Sequence, residues 1–167
     1  TSPDGQSIAV GGTDRKVTVC DRAGKELTPG PVHQTAIMAI AWRPDGQWLA
    51  TGSADGVVKL WDVAGKKELS SWRAHDTGGC SGLIFAADGT RLFSAGGDRL
   101  VKAWKTPVAM GADPAFRLAG HSGPISALAR VDFPDPDSPT IATDWPAAMA
   151  NDAPVTACTG CPSAVKE

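Results

Sequence analysis

The sequence predicts an all-β fold built from a repeated four-stranded antiparallel sheet. An internal repeat is the first observation, because Asp14, Asp55 and Asp98 recur at intervals of 41 and 43 residues, as expected of stacked supersecondary units. The second is a period-two alternation of apolar residues between Gly or Asp-Gly breaks, which is typical of short strands joined by tight turns. The third is a turn sequence ten residues before each of these aspartates: Pro3-Asp4-Gly5, Pro44-Asp45-Gly46 and Ala87-Asp88-Gly89.

The repeat divides the chain into four units, of which two are complete. The first, about 1–31, is expected to lack its opening strand because the chain begins at the turn that should follow that strand. For the second unit, 32–73, strands are predicted near 36–43, 48–53, 57–62 and 68–73. For the third unit, 74–119, they are predicted near 80–86, 91–95, 100–105 and 115–118. The fourth unit, 120–129, has the pattern of an opening strand and then departs from the repeat, because Arg130 stands where Trp42 and Phe85 close the earlier opening strands.

Residues 130–167 do not continue the repeat. The last 37 residues hold six prolines and no alternation, and proline removes the donors that a strand ladder needs. The charge also changes sign, from 15 basic and 12 acidic residues over 1–130 to one basic and six acidic over 131–167. We therefore expect an irregular or disordered tail that is not native to the fold, and a wrong reading frame is one hypothesis for it.

Composition argues against several classes of function. The net charge of −2 gives no basic footprint for nucleic acid or an anionic membrane, and no apolar run approaches the roughly 18 residues of a membrane span. Cys158 and Cys161 form a C-x-x-C pair, which could be half a zinc site or a redox dithiol. A zinc site needs four ligands and no second pair is present, so no metal or cofactor is predicted.

The three histidines recur at the period of the repeat. His33, His75 and His121 are 42 and 46 residues apart, which favours a structural role in each unit over a catalytic one. No convergent set of nucleophile, base and acid is left over. We therefore predict no catalytic residues and a protein that is not an enzyme.

The motifs resemble those of the WD-repeat β-propeller family. The resemblance rests on Gly120-His121 before a strand, on the Pro44-Asp45-Gly46 turn, and on the run from Leu49 to the Trp61-Asp62 dipeptide. It covers about residues 1–129 and implies blades of four antiparallel strands, here an incomplete set with partial first and fourth blades. The pattern is not uniform, because Cys20 replaces the Trp and Lys105 replaces the Asp of the dipeptide in the first and third units.

The resemblance also implies a buried hydrogen-bond set in each blade, in which the entry His joins the Asp of a turn and a Ser or Thr joins that His to the Trp. It assigns one set to His75, Ser94, Asp98 and Trp104, and a second to His33, Thr51, Asp55 and Trp61. Ser53 is an alternative to Thr51, since both point to the same face. In the first unit Asp14 is present without an entry His, so that set is expected to be dismantled.

The function implied by the resemblance is recognition: a non-catalytic scaffold for protein–protein interaction whose loops bind a protein or peptide. An alternative is a sensor or docking domain of a larger multidomain enzyme, such as a bacterial kinase or protease. An enzymatic propeller with a site in its channel is the third and weakest alternative. The remaining blades of a parent chain, or self-association, would complete the sheet arc. Candidate partner-binding residues on the face of the entry His are Thr13, Gln34, Thr35, Ala54, Asp76, Thr77, Gly97 and Ser122.

Overall fold

A computed structural model describes residues 1–109 and 112–128, and it is all-β. Alternation of apolar and polar residues places eleven strands in this part of the chain, and no helix occurs there. The strands are β1 Ser7–Gly11, β2 Lys16–Asp21, β3 Glu26–Val32, β4 Ile37–Trp42, β5 Trp48–Ser53, β6 Val57–Asp62, β7 Lys67–Arg73, β8 Cys80–Phe85, β9 Arg91–Gly96, β10 Val101–Lys105 and β11 Phe116–Leu118.

The strands form three antiparallel sheets that follow chain order. The first sheet has the order β1-β2-β3, the second β4-β5-β6-β7, and the third is built from β8 to β11 in the same sequential manner. The predicted opening strands carry the same irregularity in both complete blades, between Ile37 and Ala39 in β4 and between Cys80 and Gly82 in β8. The prediction of incomplete propeller blades is therefore confirmed, with three strands in the first blade and four in the second and third.

The start of the fourth unit contains no strand. Over 120–128 the chain is described without ladder pairing, although the side-chain hydroxyl of Ser81 donates to the carbonyl oxygen of Ile125. A strand is defined by its hydrogen-bonded neighbour, and among the described residues no strand pairs with this segment. The predicted tail over 130–167 and the Cys158 and Cys161 pair lie outside the described residues.

The core lies between the sheets. Alternate residues of β5 point to opposite faces, so Leu49 packs in a cluster with Val17, Val19 and Ile37, while Ala50 packs in the cluster between the second and third blades. This second cluster includes Trp72 and Trp104, whose ring centroids are 5.5 Å apart in an edge-to-face arrangement. The facing sides of neighbouring sheets thus bury each other, and the loops at the strand ends stay at the surface.

Within 1–109 and 112–128 there is no helix long and apolar enough to cross a bilayer.

Candidate interaction surface

One end of the sheets carries the loops that the sequence predicted to bind a partner. Because the strands are antiparallel and sequential, the loops that enter β4 and β8 lie at the same end as the β1–β2, β5–β6 and β9–β10 turns. We call this end the loop surface and define it by residues 12–15, 33–36, 54–56, 74–79 and 97–100. The turns that follow β4, β6 and β8 lie at the opposite end.

A buried chain of hydrogen bonds supports the loop surface in the third blade. His75 Nδ1 lies 2.8 Å from Asp98 Oδ1, and His75 Nε2 lies 2.9 Å from Ser94 Oγ. The indole Nε1 of Trp104 donates to the same Ser94 Oγ at 2.8 Å. His75 and Ser94 are fully buried. The chain therefore runs from the hydrophobic core to the turn that opens on the surface.

Chemistry fixes the proton positions in this chain. Burial lowers the pKa of His75 more than the neighbouring Asp98 carboxylate raises it, so the ring is neutral. The ionised Asp98 can only accept a hydrogen bond, so Nδ1 of His75 carries the proton and Nε2 accepts from the Ser94 hydroxyl. Trp104 can only donate, and it fills a lone pair of that hydroxyl. The three bonds therefore all donate towards the surface turn: Trp104 donates to Ser94, Ser94 to His75, and His75 to Asp98.

Lys102 adds a positive charge beneath the same turn. Its side chain is buried, and its Nζ lies 2.6 Å from the carbonyl oxygen of Ala74 and 3.0 Å from Asp98 Oδ2. Burial alone would raise the pKa of Asp98, but the contacts with Lys102 and His75 outweigh it and lower that pKa. Lys102 thus holds the Asp98 carboxylate ionised and ties the loop before β8 to the β9–β10 turn.

The second blade has only one of the corresponding links. His33 Nε2 lies 2.8 Å from Thr51 Oγ1, but Nδ1 of His33 and Nε1 of Trp61 are buried without a hydrogen-bond partner among the described residues. Asp55 instead accepts from the Ser53 hydroxyl at 2.6 Å. Burial and the nearby Lys59 lower the pKa of His33 to about 4. The structure therefore brings His33 and Thr51 together but joins neither Asp55 nor Trp61 to them.

One residue accounts for the separation of Asp55 from His33. Ser53 and Gly96 occupy equivalent positions at the ends of β5 and β9. A side chain at Gly96 would overlap the His75 ring, so glycine lets that ring reach Asp98. Ser53 has the side chain that glycine lacks, and its hydroxyl donates a hydrogen bond to the Asp55 carboxylate. Ser53 is thus a partner of the aspartate and does not replace Thr51 at the histidine.

The first blade has none of these links among its described residues. Val10 is 57% exposed, and Asp14 accepts only a long 3.4 Å bond from the backbone N–H of Lys16. Cys20 is half-buried and has a free thiol.

Backbone hydrogen bonds join the loops of neighbouring blades into one surface. The His33 N–H donates to the carbonyl of Arg15 at 2.9 Å, and the His75 N–H donates to the carbonyl of Gly56 at 3.1 Å. Each entry histidine therefore bonds the preceding blade through its backbone and its own blade through its ring. Within the third blade, the Gly97 N–H donates to the carbonyl of Gly79 at 3.2 Å.

The candidate partner-binding residues differ in exposure. Two are half-buried, Thr35 and Gly97, and the Thr35 hydroxyl accepts from the Asp55 N–H at 3.1 Å. The others are exposed: Thr13, Gln34, Ala54, Asp76, Thr77 and Ser122. His121 is exposed as well, unlike the two buried entry histidines.

Sequence reasoning missed two cations at this surface. Lys102 is one, and Arg73, which donates to the carbonyl of Asp55 at 2.7 Å, is the other. The repeated Val-Lys-x-Trp pattern, with Lys59 in the second unit and Lys102 in the third, was the available signal. Lys59 pairs with Glu68 at 2.7 Å, so the pattern alone does not give the partner of Lys102.

A small cleft lies at the opposite end of the sheets. Its volume is about 420 Å³, and Ser2, Asp4, Trp42 and Asp45 are among its lining residues. Ser2 donates to Asp4 at 2.6 Å. Within 1–109 and 112–128, no cluster of His, Cys, Asp and Glu has the arrangement of a metal site.

Comparisons with known proteins agree with this architecture. The family model described as "WD domain, G-beta repeat" matches residues 24–62 and 66–105. No curated protein matches the chain. Among solved structures, the crystal structure of RRP9 WD40 repeats is similar with a TM-score of 0.68 and 23% identity, covering 76% of this chain and 39% of that one.

Two further structures give the same result. The structure of U3-55K has a TM-score of 0.68 and 23% identity over 76% of this chain and 40% of that chain. The crystal structure of the mitotic checkpoint complex contains a chain with a TM-score of 0.70 and 24% identity, covering 78% of this chain and 40% of its own. The present chain thus spans about two fifths of the length of the chains it matches.

The family match and the fold agree on one class of protein. WD40 repeats generally mediate protein–protein interaction, and their propeller fold is generally a non-catalytic scaffold. Residues 24–62 and 66–105 match the WD-repeat family model, so this part of the chain is a WD-repeat fragment, and the described residues share the fold of WD40 repeat structures.

Proposed function

We propose that this chain is a non-catalytic interaction module that binds a protein or peptide partner through its loop surface. The observation that carries the proposal is the hydrogen-bonded chain from Trp104 to Asp98, which anchors one turn of that surface to the core. A rigid support under exposed loops lowers the ordering cost of binding.

The chemistry of the exposed residues supports a polar peptide-like ligand. Gln34, Asp76 and Thr77 are exposed on loops whose backbones are tied to the neighbouring blade. Such side chains offer amide, carboxylate and hydroxyl groups, which match the donors and acceptors of a peptide. Thr13 and Ala54 extend the same surface across the turns of the first and second blades, and Ser122 adds a polar group beyond the third.

The proposal is tested by paired variants at the two ends of the sheets. Asp76→Ala with Thr77→Ala removes polar groups from the loop surface, and Lys66→Ala with Lys67→Ala does the same for an exposed turn at the opposite end. The full chain and both double variants are used for affinity capture from source cells, with bound proteins quantified by mass spectrometry. We expect the first double variant to lose a partner that the second retains, and equal retention by both would contradict the proposal.

A further inference from the structure

The first sheet has a free edge among the described residues. Strand β1 pairs with β2 on one side only. The backbone of Ser7 faces the other side, since its N–H and C=O bond Ser2 Oγ and the Ser2 N–H at 2.8 Å each. Backbone groups of a strand alternate in direction, so the N–H and C=O of Ala9 face this side too. They form an open template for another strand.

The outward face of the same sheet is apolar and exposed. Ile8 is 42% and Val10 57% exposed. The repeat aligns them with Leu49 and Thr51 of β5, which are fully buried, and Leu49 packs against Val17 and Val19 of the preceding blade. The first sheet therefore presents a blade interface with no blade against it among the described residues.

The other half of a blade lies at the far end of the described chain. Residues 125–128 follow the pattern of an opening strand, and they are seated beside β8. Ser81 Oγ donates to the carbonyl of Ile125, Ile125 is only 8% exposed, and the Leu128 side chain is a close neighbour of Gly82. This segment has the place of a fourth blade's first strand but no second strand to pair with among the described residues.

We propose that the occupant of the β1 edge is residues 125–128 of a second copy of this chain. The single strand from one copy and the three strands β1, β2 and β3 from the next make one four-stranded blade. The register follows from the complete blades, where Ile40 opposes Thr51 and Leu83 opposes Ser94. Leu128 of one copy would oppose Val10 of the other, and the third blade beside which residues 125–128 are seated would then cover the exposed face of Ile8 and Val10, as the first blade covers Leu49.

The arrangement predicts the number of copies. Over its described residues each chain carries two complete blades and the two parts of a third, so a closed ring of two such copies would have six blades. Propellers typically have about four to eight blades, and a head-to-tail contact closes when its rotation completes the ring. We expect a dimer with twice the 17.2 kDa mass of the chain.

Sedimentation velocity on the full chain and three variants tests the proposal. Val10→Lys places a charge in the proposed interface and should abolish the dimer. Met38→Lys is the matched control, because Met38 is also 57% exposed but lies on β4, a strand that already pairs with β5 in the complete second blade. Ala127→Pro removes a backbone donor from the proposed incoming strand and should also give a monomer. Far-ultraviolet circular dichroism checks that each variant keeps its β structure.

Mixing the two defective variants gives the most specific readout. Val10→Lys retains an unaltered 125–128 segment, and Ala127→Pro retains an unaltered β1 edge. The mixture can form one intact junction, so dimers should return where each variant alone is monomeric. A monomeric parent chain, a Val10→Lys dimer as stable as that of Met38→Lys, or a mixture without dimers would each overturn the proposal.

Discussion

The hydroxyl of Ser94 is at the centre of the buried hydrogen-bond chain, where it both donates and accepts. The loss of stability on its removal can be worked out from these bonds. In Ser94→Ala the Trp104 indole and the His75 ring lose bonds of 2.8 and 2.9 Å in a site with no exposed surface. Two net hydrogen bonds are worth about 1 kcal/mol each, and an orphaned buried group costs about 1–3 kcal/mol. We expect a loss of about 2–4 kcal/mol in the free energy of unfolding.

Urea unfolding followed by tryptophan fluorescence measures this loss. For a slope of about 2 kcal/mol per molar urea, a loss of 3 kcal/mol moves the midpoint by about 1.5 M. Ser70→Ala is the matched control, because Ser70 is also buried but its hydroxyl has no hydrogen-bond partner among the described residues. The free energy of unfolding of Ser70→Ala should change by less than about 0.5 kcal/mol. Equal midpoints for the two variants would refute the reasoning.

Three further predictions follow from burial and backbone conformation. Since burial lowers the pKa of His33 to about 4 and also lowers that of His75, the unfolded chain takes up protons first, near pH 6.5. Stability should then fall from pH 6.5 towards 4 by up to about 1.4 kcal/mol per pH unit from His33, and His75 adds to the fall in the same direction; a flat urea midpoint over this range would contradict it. Gly56→Ala should destabilise by about 3 kcal/mol in thermal unfolding and Gly24→Ala by only about 1 kcal/mol, because both have φ of +81° but only a Cβ at Gly56 overlaps the His75 carbonyl. Burial raises the pKa of the Cys80 thiol to about 12, so peptide mapping after alkylation of the native chain should find Cys80 unmodified while half-buried Cys20 reacts; equal labelling would contradict its burial.

Much of the fold is visible in the sequence because strands leave a period-two pattern and turns leave Asp-Gly. The predicted strands 48–53 and 57–62 coincide with β5 and β6. Strand β11 covers only 116–118, within the predicted 115–118. The opening strand of the fourth unit has the pattern but pairs with no strand among the described residues, because the pattern specifies which face is buried and not whether a neighbouring strand is present.

The buried hydrogen-bond sets were less predictable because they depend on space. The set of the third blade was assigned by resemblance, and its four side chains are joined by hydrogen bonds in the structure. The second set has the same residue types, yet Ser53 fills the position that Gly96 leaves open and bonds Asp55. The hydroxymethyl group of Ser53 thus decides whether the histidine of a blade can reach the aspartate of the same blade. An alignment of motifs gives no weight to that position.

Site-specific photocrosslinking is the most direct test of the central claim that the loop surface holds a partner. A photoreactive amino acid is placed at Gln34 or Thr77 on the loop surface, and at Lys66 or Ala87 in exposed turns at the opposite end. The chain is irradiated in source cells and its adducts are identified by mass spectrometry. The account predicts one shared protein adduct from both loop-surface positions and none of it from the opposite turns. The same adduct from all four positions, or from the opposite turns alone, would contradict it.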